Sequence, residues 1–181
     1  MQLSTGSSPA RSADRSKLSS PTSLDVVFAP MLQVVSTMRR FVLGLYERVL
    51  ADGAVSAQMA LVTHELLENA IKYNTDTGTR LQISISHQAD PPRQVVEIRT
   101  RNRGTPENIR TAERLIARVR EAKDPDQLYQ QMMLSSVEQA SGSGLGLARI
   151  RAETEMTIDV HVEGDEIEVV ARALLPEGGA L

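Results

Sequence analysis

Glu65, Glu68, Asn69 and Lys72 fall within one short stretch, Leu61-Val62-Thr63-His64-Glu65-Leu66-Leu67-Glu68-Asn69-Ala70-Ile71-Lys72-Tyr73-Asn74. At about 100° per residue, Met59, Val62, Leu66, Leu67, Ala70 and Ile71 sweep out a wide apolar arc, leaving those four polar residues on the narrow remaining face. A carboxylate and an amide one turn apart, with an ammonium beside them, can converge on one ligand. Alone, the stripe reads first as a solvated face with Glu68 and Lys72 paired at i,i+4, worth about 0.2–0.5 kcal/mol.

A second stretch, Ser141-Gly142-Ser143-Gly144-Leu145-Gly146-Leu147, runs straight into a helical segment, Ala148 to Glu155. Alternate glycines let backbone amides approach an anion with no Cβ in the way. The helix that follows presents its unpaired N–H groups and positive dipole end to the same point. A bare glycine pattern also reads as a flexible loop. No Gly-Lys-Ser/Thr follows, so this is not a Walker loop, and its place late in the chain is not that of a dinucleotide-binding fingerprint.

The elements that must position these stretches follow from hydrophobic period. Leu24 to Phe28 is a short apolar strand stopped by Pro30, and Met31 to Leu50 repeats apolar residues at helical spacing until Asp52-Gly53 stops it. Ser56 to about Tyr73 is the second helix. Arg80 to His87 alternates as a half-buried strand does, and Pro91-Pro92 turns the chain into another strand, Gln94 to Thr100. Thr105-Pro106-Glu107 and Asp124-Pro125-Asp126 each read as a helix cap followed by a first-turn proline, opening two inserted helices of modest apolar character. Two last strands, about Met156 to Val162 and Ile167 to Leu174, are joined by a tight link at 163–166. Hairpin-paired strands with helices to one side predict an α+β two-layer sandwich.

The 181 residues have room for one domain with a tail. Residues 1–23 are rich in serine, with Gly6, Pro9 and Pro21 among them, and cannot offset their ordering entropy by burial, so they read as a disordered tail ahead of a domain over 24–181. With 3% aromatic residues the core must be aliphatic, and the absence of cysteine removes disulfides, thiolate metal sites and cysteine nucleophiles. A net charge of −3 argues against nonspecific nucleic-acid binding. No apolar run reaches a membrane span and no signal-peptide core is readable, so the expected location is the cytoplasm. His64, His87 and His161 show no metal-ligand spacing, and His64 reads as a rim or partly buried residue. Arg110, Arg114 and Arg118 form an i, i+4, i+8 stripe that reads as a solvated face, though an arginine there could reach phosphates or an acidic partner.

Together and in this order, the two polar stretches resemble the motifs of the GHKL (Bergerat-fold) ATPases, which include histidine-kinase catalytic domains, gyrase-type and chaperone ATPases and anti-sigma-factor serine/threonine kinases. Glu65 to Tyr73 looks like that family's N-box and Gly142 to Leu147 like its second G-box. The resemblance spans about Leu24 to Leu174. It implies a two-layer sandwich of mostly antiparallel sheet with helices on one face and an inserted ATP lid, about 105–141.

Carried over by that resemblance, Asn69 would hold Mg²⁺ through its amide oxygen, and Glu65 would orient or deprotonate the attacking nucleophile. Lys72 and Tyr73 match positions lining the nucleotide side of the helix, while Gly142, Ser143, Gly144, Leu145 and Gly146 would wrap the phosphates of ATP. One motif departs from the family. Where the first G-box has an aspartate and two glycines, this chain has Asn102, Gly104 and Pro106. Asparagine keeps an acceptor for adenine but gives up the charge, which weakens the bond. The implied function is that of a Mg-ATP-dependent anti-sigma-factor serine/threonine kinase acting on a small regulatory protein, with an antagonist-like substrate or a sigma factor as partner and a homodimer among the allowed assemblies. Two alternatives stay open: a GHKL-fold interaction module with weak or no nucleotide binding, and an orphan histidine-kinase catalytic domain.

Overall fold

The alternation over 80–87 marks the centre of a longer strand. In this computed structural model, which describes residues 21–138 and 144–176, β2 runs Thr79–Ala89 with Leu81, Ile83 and Ile85 buried on one face. Its antiparallel neighbour β3 runs Pro92–Arg103, past the end read at Thr100, so Asn102 belongs to the strand and lies opposite Ile167. Strand β1 (Thr22–Phe28) pairs with β2 and takes in Thr22 and Ser23; residues 1–20 of the expected tail lie outside the described residues. Strands β4 (Thr157–Glu163) and β5 (Glu166–Pro176) form a hairpin, with Gly164 at the turn in the left-handed region, φ 64°. Every pairing is antiparallel and the sheet order is β1-β2-β3-β5-β4.

One sheet face is apolar and covered by helices. The other carries charge, with ion pairs Arg80–Asp25, Arg99–Glu97, Arg99–Glu168 and Arg101–Glu166 spaced across four strands. The first pair also holds the Asp25 carboxyl below its usual range, through hydrogen bonds from Arg80 and then Gln82. This division is the α+β two-layer arrangement that period alone predicts.

Helix α1 (Leu32–Leu50) ends at Ala51, which takes the left-handed conformation, φ 57°. Asp52 does not stop that helix. Its Oδ1 accepts from the Val55 N–H at 3.0 Å and so caps α2, which begins at Gly53 rather than Ser56 and runs to Lys72. Tyr46, Met59, Leu66 and Leu67 are fully buried where α1 and α2 pack together and over the sheet. No helix among the described residues is long and apolar enough to cross a membrane.

Between β3 and β4 the chain inserts three helices. Thr105 accepts from Asn108 N–H and Pro106 opens α3 (Pro106–Glu121); Asp124 accepts from Gln127 N–H ahead of α4 (Pro125–Glu138). Helix α3 is more sharply amphipathic than its modest apolar character suggested: Ile109, Ile116 and Val119 are buried, while Arg110, Arg114 and Arg118 are exposed. Helix α5 (Leu145–Glu153) starts at Leu145, three residues before the expected Ala148, because Gly144 at φ 96° turns the chain directly into it.

Candidate functional site

The C-terminal half of α2, the end of β3, the face of α3 and the start of α5 enclose one cavity of about 70 Å³. Leu66, Asn69, Ala70 and Tyr73 line it from α2, and Thr100 and Asn102 from β3. Gly104 closes the strand end, its N–H donating to the Asp165 carbonyl at 2.9 Å. Asn108, Leu115 and Ile116 come from α3, Gly144 and Leu147 from the start of α5, and Ile167 and Val169 from β5.

Of the residues singled out in the sequence, Asn69, Tyr73, Asn102, Gly104 and Gly144 meet in this cavity. Lys72 does not line it; the side chain is exposed and its Nζ lies 5.3 Å from the centre of the Tyr73 ring. Helix rotation explains this, since adjacent residues differ by about 100° and Tyr73 takes the inward direction. Glu68 pairs with His64, whose Nε2 lies 3.4 Å from its carboxylate, and not with Lys72. Leu145 and Gly146 sit in the first turn of α5 but outside the lining. Gly142 and Ser143 lie outside the described residues.

Polar groups in the cavity wall have distinct states. The Asn69 amide nitrogen is buried and has no partner among the described residues. Amide oxygen and nitrogen exchange places by a flip of the terminal torsion, so this side chain can turn its oxygen to a cation at no cost in lost bonds. That is a fit for a hard metal ion. Asn102 is buried, and its amide N–H donates to the Arg103 carbonyl at 3.0 Å. What remains of its polar end is the acceptor oxygen and the second amide N–H.

Glu65 stands one turn before Asn69 but beside the cavity rather than in its lining. Its carboxylate pairs with Arg149 Nη1 at 3.3 Å and lies against Gly146, where an added methyl would overlap it. Arg149 is held between two carboxylates, Glu65 and Glu153, and its pKa is raised, first by the Glu153 hydrogen bond. At the other glycine, Gly144, the Leu115 side chain packs where a Cβ would stand. Helix α3 therefore presses an apolar side chain on the N-terminus of α5. About 70 Å³ holds a few waters. Ligand pockets run to about 300–1,000 Å³, and Leu115 of α3 is the side chain that narrows this one at Gly144.

Two features of the site escaped sequence reading. The α3 wall falls within the lid expected at about 105–141, but a helical apolar period cannot say that Leu115 is the residue that faces α5. Arg149 stands four residues before Glu153, a spacing that marks a helix-surface pair and hides the contact to Glu65.

Comparison with known proteins adds to this geometry. No curated protein matches the sequence. Among solved structures, a chain from the crystal structure of the SiaB–SiaC complex of Pseudomonas aeruginosa superposes with a TM-score of 0.56 at 15% identity, covering 84% of this chain and 89% of that one. At that identity the likeness is one of fold. A family model, described as "Histidine kinase-, DNA gyrase B-, and HSP90-like ATPase", matches residues 54–178, a span that contains all of α2 but its first residue, both glycine segments and the four strands β2 to β5. With the cavity, its amide and its glycine-led helix lying inside that match, the chain belongs to the histidine kinase-, DNA gyrase B- and HSP90-like ATPases.

Proposed function

We propose that this protein is a cytoplasmic regulator that binds Mg-ATP in the α2–β3–α5 cavity and transfers the γ-phosphoryl group to a serine or threonine of a small partner protein. The observation that carries the reading is the buried amide nitrogen of Asn69 in the cavity wall, without a partner among the described residues and one turn from the Glu65 carboxylate. Asn69 would hold Mg²⁺, and the metal's role when bound is to neutralise phosphate charge. The Asn102 oxygen would accept from the adenine amino group, and Gly144 with the α5 N-terminus would meet the phosphates. Glu65 would take the hydroxyl proton as the serine or threonine oxygen bonds to phosphorus; the bond from phosphorus to the β–γ bridging oxygen breaks and ADP leaves. A fold neighbour that was solved in a two-protein complex supports a protein as the acceptor.

A second reading, an interaction module that binds nucleotide weakly, draws on Leu115 seated against Gly144 and on an uncharged Asn102 in the first G-box. One experiment separates them: the chain, γ-labelled ATP and proteins captured with it are incubated together. Acid-stable label on a captured protein supports serine or threonine transfer. Acid-labile label assigns a histidine acceptor, and capture without label assigns the module.

A further inference from the structure

The far end of the sheet carries a second concavity with different chemistry. Strand β3 leads from Asn102 in the cavity back to Arg93, a distance of roughly 30 Å at about 3.4 Å per residue. There Arg93, Arg151 of α5 and Arg172 of β5 border a groove of about 860 Å³. None of the three has an ion pair among the described residues, whereas Arg80, Arg99, Arg101 and Arg149 are all paired. Two carboxylates also line the groove. Glu153 is occupied by Arg149 at 2.8 Å, which leaves Glu155 as the remaining acidic group against three guanidinium ions.

The groove also contains an open strand edge. Pairing of β4 with β5 begins at Thr157 opposite Arg172, while β5 continues to Pro176 with β3 on its other side only. Among the described residues, no backbone hydrogen bond from another element covers the free edge of 173–176. Such an edge offers the backbone groups of Leu174 and Leu175, with Pro176 contributing only its C=O, in register for an added strand. Its floor is apolar: Met59 and Met156 are buried beneath it.

We infer that this groove binds an extended acidic segment of a partner protein, which pairs with the β5 edge in line with β4. Side chains of an added strand alternate between its two faces. Acidic residues on one face meet Arg93 and Arg172 on the open face of the sheet, and the other face turns to the helix layer, where Arg151 lies beside Met59 and Met156. The open backbone edge selects a peptide over a nucleic acid, which could use the arginines but not the strand. The inference does not depend on nucleotide binding, because the groove shares no lining residue with the cavity.

The test is fluorescence anisotropy of a labelled peptide of alternating glutamate and valine, titrated with the full chain at low salt. Saturable binding is expected. The double variant Arg93→Glu/Arg172→Glu should weaken it about tenfold or more, and methylating alternate peptide nitrogens should do the same by blocking strand pairing. Both arginines are exposed, and an unfolding curve matching wild type certifies the variant. Arg151→Glu alone should give a smaller loss in the same direction. Absence of saturation at about 1 mM peptide, a range that already corresponds to very weak association, overturns the inference. So does equal binding of the methylated peptide, or of an oligothymidylate as tightly as the peptide.

Discussion

Arg149 Nη1 lies 3.3 Å from the Glu65 carboxylate and ties α5 to α2 beside the cavity. Glu65 is 15% exposed, so the pair is mostly shielded on its acidic side. Glu65→Gln keeps the shape and an oxygen for Arg149, so stability should change by less than about 1 kcal/mol. ATP binding should persist while phosphoryl transfer falls by about 10²-fold or more, the size of a general-base contribution. Single-turnover transfer of labelled phosphate reads this directly, and undiminished transfer would place the base elsewhere.

Gly146→Ala tests the same contact from the other helix. The new methyl would overlap the Glu65 carboxylate and crowd its Cβ, so the carboxylate must leave Arg149 or the helices must part. A loss of about 1–3 kcal/mol in denaturant unfolding is expected, as for other overpacked sites. Unchanged stability would show that the carboxylate swings clear.

Asn69→Ala should abolish the Mg²⁺ enhancement of ATP binding in calorimetry. The amide nitrogen it removes is buried without a partner among the described residues, so no hydrogen bond among them is lost and thermal stability should hold. A variant that binds Mg-ATP as wild type does would refute the metal assignment.

Leu115→Ala removes the side chain that packs on Gly144. Folding stability should drop by about 1–3 kcal/mol, below the full cost for a buried leucine because Leu115 is only partly covered. On the proposed function ATP affinity should rise about 3–10-fold, since the truncation widens the cavity where Leu115 crowds Gly144. Weaker binding would mean that Leu115 contacts the nucleotide instead of excluding it.

Tyr46 supplies a pH signature. The Thr63 hydroxyl donates to the Met59 carbonyl at 2.8 Å, so the Tyr46 hydroxyl is the donor in its 3.0 Å bond to Thr63. Burial pushes the phenol pKa well above its ordinary value. The unfolded chain therefore ionises first: this stabilisation is complete below about pH 10 and is lost as pH climbs toward the raised folded value. Tyr46→Phe should cost about 0.5–1.5 kcal/mol at neutral pH and remove that alkaline slope. Urea unfolding of both proteins at neutral pH and at about pH 11 measures the difference. Parallel alkaline losses would assign the slope to other groups.

Strands and caps were legible because each is a local code. Leu81, Ile83 and Ile85 alternate, and Thr105-Pro106 and Asp124-Pro125 hold their helix starts by side-chain bonds to the next turn. Asp52 was misread because the same Asp-Gly pair can end one helix or cap the next, and only the left-handed Ala51 decides. In the site, Asn69, Lys72 and Tyr73 were placed by the family resemblance; Asn69 and Tyr73 line the cavity and Lys72, one step of helix phase away, does not. Leu115 and Arg149 were out of reach, since their partners, Gly144 and Glu65, are fixed by how α3 and α5 dock.

The insertion of α3, α4 and α5 between β3 and β4 has a consequence for how the chain closes on itself. The β2–β3 and β4–β5 turns are local, but Ile98 meets Ala171 only after the whole insertion has been spanned. Closure entropy grows only logarithmically, so doubling such a connection adds about 0.6 kcal/mol. The sheet is therefore nearly indifferent to the insertion's length, and the exposed turn between α3 and α4 is where a reporter domain or a shortened segment can be spliced without unmaking the strands behind the cavity.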